Sequence, residues 1–145
     1  MTLPFRIPIP FVELIGLELL RYDAGEVELA VPVRDELLNH IGVLHGGVVM
    51  TLLDVAMAHA VRSADPTDLA DGPGLATIEM KTSFLRPGTG RVRAVGRLLR
   101  RTGSIAFCEA SAYDGAGELA AHATGTFKLL RRAPPGSRPL PPPAG

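Results

Sequence analysis

The run "NHIGVLHGGVVMTLLDVAMAHAV" at residues 39–61 carries one acid, Asp54, among almost unbroken apolar side chains and no Lys or Arg. A carboxylate in such surroundings costs free energy unless it is hydrogen-bonded or paired. Three roles could retain it. A hydroxyl or backbone group could hold it as a purely structural element, and Thr51 stands one helical turn before it. A metal could bind it together with His40, His45 or His59. His59 lies five residues on, a poor spacing for one helix face, and no H-x-x-x-H or E-x-x-H pair exists, so no metal site is expected. In the third role the apolar setting raises the carboxyl pKa and leaves the anion poorly solvated, which suits a general base or a nucleophile.

The "HGG" at His45, Gly46 and Gly47 complements the third role. If a helix starts there, the amides of Gly46 and Gly47 are unpaired donors at its positive end. Two residues without side chains let a carbonyl approach the backbone, as an oxyanion hole requires. Gly46 and Asp54 are eight residues apart, however, hence about 12 Å along one helix axis. One carbonyl carbon cannot reach both. If they serve one reaction, Gly46 of one subunit meets Asp54 of another, and an antiparallel pair of helices across a two-fold axis creates two equivalent sites. Catalysis at these residues therefore predicts a dimer.

The elements that must position them follow from periodicity. His45 to Ser63 is rich in Leu, Met and Ala and apolar nearly all round, which predicts a buried helix. The segment "ADPTDLADGPG" ends it. Upstream, Val27, Leu29, Val31 and Val33 alternate with Glu26, Glu28, Ala30 and Pro32, a half-buried strand with a hairpin partner at about 16–22 and a short helix or turn near 9–15. Downstream, "LATIEMKTSFLRPG", "GRVRAVGRLLRRTG", "SIAFCEASAYDGAG" and "ELAAHATGTFKLLR" read as strands joined by short turns, hence antiparallel neighbours. The expected fold class is α+β: five or six antiparallel strands curved around one long helix, with a second copy covering the rest.

The 145 residues suit one domain, expected over 11–131 between proline-rich segments at 1–10 and 132–145, the latter extended or mobile. Fifteen basic and fifteen acidic residues cancel, and Trp is absent, so nucleic acid and acidic membranes are not expected partners. Cys108 is single and lies in a strand pattern, which makes it a buried thiol and rules out an intrachain disulfide. Residues 1–11 lack a continuous apolar stretch, and the longest apolar run, Val48 to Leu53, is too short to span a bilayer, so a cytoplasmic location is expected.

Asn39, Gly42, His45, Gly46, Gly47, Leu52, Asp54 and Ala56 together resemble the signature of hotdog-fold acyl-CoA thioesterases, in the subgroup related to the phenylacetate-pathway thioesterase. The pattern there is Asn, G-x-x-H-G-G, then L-x-D-x-A on the central helix. The resemblance extends through residues 76–130 and covers roughly 11–131. It implies hydrolysis of an acyl-CoA or aryl-CoA thioester without a cofactor, in a homodimer, with a dimer of dimers usual among relatives. By position, Asp54 would be the base or nucleophile and the Gly46 amide would polarise the carbonyl. His45 and Asn39 would orient thioester and loop, and Thr77 would assist the attacking water. Asn39 could instead merely cap its loop, and Thr77 could be an ordinary strand threonine. Met57 and His59 stand where small residues are frequent, which could reshape the acyl pocket.

The stretch from Arg86 to Arg101 holds six arginines and no acid. Arg86, Arg97 and Arg101, with Gly47, are candidates for binding the substrate, the arginines through CoA phosphates. A solvated face paired with acids elsewhere explains the stripe equally well. Two other functions fit the same chain: a non-catalytic acyl-CoA binding module, and an enoyl-thioester hydratase or dehydratase of the same fold. Intact Asp54 and Gly46 speak against the first, and no His/Asp motif of the second is apparent.

Overall fold

Alternation of apolar and charged residues puts Val27, Leu29 and Val31 on one buried face of strand β2 (Glu26–Val31), and Gly25, with φ +83°, turns the chain back into β1 (Glu18–Asp23). The computed structural model describes residues 1–65 and 74–140. A short helix α1 (Pro10–Ile15) precedes this hairpin, and helix α2 (Gly46–Ala64) follows it after a 3-10 turn at Asp35–Leu37. Strands β3 (Gly74–Phe84), β4 (Val92–Arg101), β5 (Ile105–Tyr113) and β6 (Leu119–Leu130) complete one antiparallel sheet of six in the order β1-β2-β4-β5-β6-β3. The segment expected to end α2 lies mostly outside the described residues.

The sheet wraps α2 because its inner face is built from small residues. Ala94, Ala110, Ala112, Ala121 and Ala123 are buried, and Leu52, Leu53, Ala56, Met57, Ala60 and Val61 of α2 are fully buried against the sheet. At Gly96 an added Cβ would stand 2.4 Å from the Ala56 carbonyl carbon and oxygen. Only glycine allows helix and strand backbones so close. Cys108 belongs to this face, where burial pushes its thiol pKa up to about 12, so it is inert packing.

The sheet covers one side of α2, as expected: Gly47, Thr51, Asp54, Ala58 and Arg62 form a stripe that their own chain leaves open or only partly covers. One expectation is corrected: α2 as a whole is long and apolar enough to cross a bilayer, although its longest unbroken apolar run is not; here it is the core helix of the sheet. The proline-rich residues 1–10 are docked onto the fold. The Leu3 amide donates to the Leu19 carbonyl at 2.7 Å, the Phe5 ring meets His59 edge-on at 5.4 Å, and the Arg6 guanidinium lies 4.5 Å from the Tyr22 ring centre.

Both sheet edges are outer strands, but they differ. Leu3 bridges to β1, whereas among the described residues β3 pairs only with β6, and most of its side chains are exposed, Ile78 among them. An open edge of eleven residues is a ready template for pairing with another chain.

Candidate functional site

The start of α2 is organised by His45. Its backbone is extended (φ −59°, ψ 134°), and its ring Nδ1 accepts the Gly47 amide at 2.8 Å. Because Nδ1 accepts, a neutral ring carries its proton on Nε2, which is left as a donor. Gly47 leaves the ring room in this cap, since a Cβ there would lie 3.0 Å from Nδ1 and the ring would have to shift. The expectation of two free amides is thereby corrected to one. The Gly47 amide is spent on the cap, and among the described residues the Gly46 amide has no acceptor.

Asn39 shapes the loop before the helix. Its Oδ1 accepts from the amides of Ile41 (3.0 Å) and Val43 (3.3 Å), the loop-capping role weighed above, while its Nδ2 stays available. Asn39, Gly46, Phe84 and Arg86 line a cavity of about 350 Å³, with Ile41 and Leu85 as exposed apolar rim.

Asp54 sits mid-helix on the uncovered stripe. Thr77 Oγ1 donates to its Oδ1 at 2.7 Å. A bulge in β3 makes this contact possible. The β3–β6 register slips between Thr77 and Glu79, so Ile78 is the extra residue. Before it Leu75 and Thr77 face the helix; after it Met80, Thr82 and Phe84 do. One strand therefore presents Thr77 to Asp54 and Phe84 to Gly46, where an added Cβ would be 3.5 Å from the Phe84 ring. Partial burial raises the Asp54 pKa, and the Thr77 hydroxyl opposes that rise.

Asp54 and Thr77 line a second cavity, of about 260 Å³, together with Ile7, Ile9, Phe11, His59 and Arg62. No residue lines both cavities. Gly46 and Asp54 thus face different spaces in one chain, as the helical rise requires. Ile7, Ile9 and Phe11 were not foreseen at the site, though their signal was present: apolar residues at 5, 7, 9 and 11 alternate with Arg6, Pro8 and Pro10.

His59 is 2% exposed, with Nδ1 bonded to the Val55 carbonyl at 2.9 Å and Nε2 unpartnered among the described residues. Burial depresses its pKa to about 4; the Val55 bond opposes this and the nearby Arg62 charge adds to it. A neutral buried histidine stabilises the fold fully above the unfolded value of 6.5, and the contribution is lost as pH falls toward the folded value. The gap corresponds to roughly 3 kcal/mol. Urea unfolding across that range should show this loss in the wild type and a flatter pH profile in His59→Leu; equal slopes would exclude His59 as the cause.

The arginine stripe is paired on the outer face of the sheet. Arg91 binds Glu18, Arg93 binds Glu28, and Arg97 Nε donates to Glu26 at 2.6 Å. Arg101 reaches Asp65 at 3.3 Å. The acids lie on other strands or at the helix end, which is why 86–101 looks unpaired in sequence. Of the arginines expected to bind substrate, Arg86 lines the Gly46 cavity, whereas Arg97 and Arg101 line neither.

Residues 41–121, more than half of the chain, match the family model described as the thioesterase superfamily. YigI of Salmonella typhimurium, a medium/long-chain acyl-CoA thioesterase, is 30% identical over 133 residues, covering 83% of this chain and 85% of its own. The solved structure of conserved protein PA5202 from Pseudomonas aeruginosa is similar at a TM-score of 0.78 and 32% identity, covering 86% of this chain and 97% of that one. The E. coli PaaI protein, from the phenylacetic acid degradation operon, has a TM-score of 0.73 over 83% of each chain; at 20% identity the likeness is one of fold.

Proposed function

The chain belongs to the thioesterase superfamily and has its hotdog fold, and we propose that it hydrolyses an acyl-CoA or aryl-CoA thioester in a site shared between two subunits. The observation that carries this reading is the Asp54–Thr77 pair facing a cavity, eight residues from a helix-start amide without an acceptor. The Gly46 amide binds the carbonyl oxygen of the thioester and holds the oxyanion as it forms. Thr77 donates to Asp54, so its hydroxyl oxygen accepts from the attacking water, and the carboxylate takes the water's other proton. Water oxygen bonds to the carbonyl carbon, the carbon–sulfur bond breaks, and the proton passes from Asp54 to the departing CoA sulfur. The His45 Nε2 hydrogen and the Asn39 amide orient the thioester end. Arg86 is the basic residue best placed for the CoA side.

The two half-sites meet through the open β3 edges. An antiparallel ladder between two copies of β3 brings the Thr77 end of one strand to the Phe84 end of the other, since the two run in opposite directions about the two-fold axis. Asp54 then faces the partner's Gly46. The homodimer is the minimal active unit in this reading, and a dimer of dimers is compatible with it. The motif around Asn39 and Gly42 favours the subgroup related to the phenylacetate-pathway enzyme, and a cytoplasmic location fits a CoA substrate.

Purified protein assayed with a thiol-detecting dye against medium-chain, long-chain and aryl acyl-CoAs should release CoA, undiminished by chelator, and sediment as a dimer or larger. Binding without release across the panel would instead indicate the acyl-CoA binding module. A fully active monomer would defeat the shared site. Incorporation of heavy oxygen from labelled water into Asp54 during a single turnover would replace the base role with a nucleophilic one.

A further inference from the structure

The cavity beside Asp54 follows one stripe of α2, from Thr51 through Ala58 to Arg62. Asp54 and Arg62 are eight residues apart, so they stand about 12 Å apart along the helix axis. Ile7, Ile9, Phe11 and Phe127 make the wall between them apolar. The far end is polar in an unusual way. Arg62 is half-buried, and among the described residues no carboxylate pairs with it. The nearby Tyr22 ring is already covered by the Arg6 guanidinium, 4.5 Å from its centre. His59, beside Arg62, is neutral and offers no counter-charge.

Gly74 makes room for this guanidinium. A Cβ there would be 1.7 Å from the Arg62 Nη2, so any other residue would displace it. The α2 C-terminus supplies a partial negative charge, which offsets only part of the cost of burying a cation that no described carboxylate meets. A carboxylate would complete the site, because the planar fork of Arg matches its two oxygens.

We propose that Arg62 makes the Asp54 cavity selective for acyl chains that end in a carboxylate, with the thioester at Asp54 and the distal carboxylate on the guanidinium. This rests on the thioesterase reading for the orientation of the chain, and on the cavity and a cation that no described carboxylate pairs with for the distal anchor.

The test compares octanoyl-CoA with its counterpart ending in a carboxylate, suberyl-CoA. Wild type should show kcat/KM at least about ten-fold higher for suberyl-CoA. Arg62→Gln should lower the suberyl value about ten-fold more than the octanoyl value, and Arg62→Lys should retain part of the preference. Calorimetric titration of wild type with free suberate supplies a readout independent of turnover, and Arg62→Gln should weaken it to the same degree. Equal kcat/KM for the two thioesters, or equal losses in Arg62→Gln, would overturn the distal anchor while leaving hydrolysis intact. Suberate binding that depends on Arg62 in a protein cleaving no thioester would uphold the anchor and overturn the hydrolase.

Discussion

Asp54→Asn should lower thioester hydrolysis by orders of magnitude and at the same time make the protein harder to unfold at neutral pH. The loss of rate follows from the proton that Asn cannot take, and removal of a general base costs on the order of 10²- to 10⁴-fold. The gain in stability follows from linkage. Burial raises the Asp54 pKa above its ordinary 3.8, against the lowering effect of Thr77. In the window between the unfolded and native values the native state holds the proton more tightly, so stability falls as pH rises through that window and stays lower above it. Asn accepts the same Thr77 hydrogen bond without carrying charge. Melting temperatures should thus be higher for Asp54→Asn at neutral pH and converge with wild type at acid pH. Wild-type kcat should decline as pH drops through the raised Asp54 value. A variant that keeps wild-type turnover would remove Asp54 from the reaction. One that is less stable at neutral pH would mean that the ionised carboxylate is net stabilising.

The second large effect concerns Gly46, whose amide can be deleted almost in isolation. Gly46 is the first residue of α2, where proline is well tolerated, and His45 already has the extended backbone that a residue before proline needs. Gly46→Pro should therefore keep the helix and the His45 cap while removing one hydrogen-bond donor, lowering kcat by about 10²- to 10³-fold. Gly46→Ala keeps the amide and should lose less. Asp54→Asn and Gly46→Pro homodimers are each inactive at both sites. A mixed dimer has one site built from the Asp54 of the Gly46→Pro chain and the Gly46 of the Asp54→Asn chain. Unfolding the two together and refolding should return about a quarter of wild-type activity, since half the dimers are mixed and each has one intact site. Recovery no greater than the sum of the separate variants would place Gly46 and Asp54 within one chain's site.

How much of this was legible in sequence depends on the range of the interaction. That Asp54 and Gly46 face different spaces was legible because helical rise is a local constant, and eight residues separate them along the helix. The α+β class, the hairpin at Val27 and the long apolar helix followed from period-two and period-3.6 patterns, which burial imposes residue by residue. Even the docked N-terminal segment left an alternating trace in Phe5, Ile7, Ile9 and Phe11, despite its three prolines.

Contacts that depend on register were not legible. Thr77 faces Asp54, and Phe84 faces Gly46, only because the bulge at Ile78 changes which side of β3 points inward. The arginines of β4 find Glu18, Glu26 and Glu28 across strands distant in sequence. Gly47 lost its amide to a side chain two residues away, a geometry set by the His45 rotamer. Among the described residues Arg62 stands without an acid, at the end of a cavity that exists only when α2, β3 and residues 7–12 close around it. The sequence by itself determined which chemical groups occur and their spacing along each element, since those follow from backbone geometry. Tertiary structure alone decided which groups are paired and which stay free, because pairing depends on distances between segments that the chain does not encode locally.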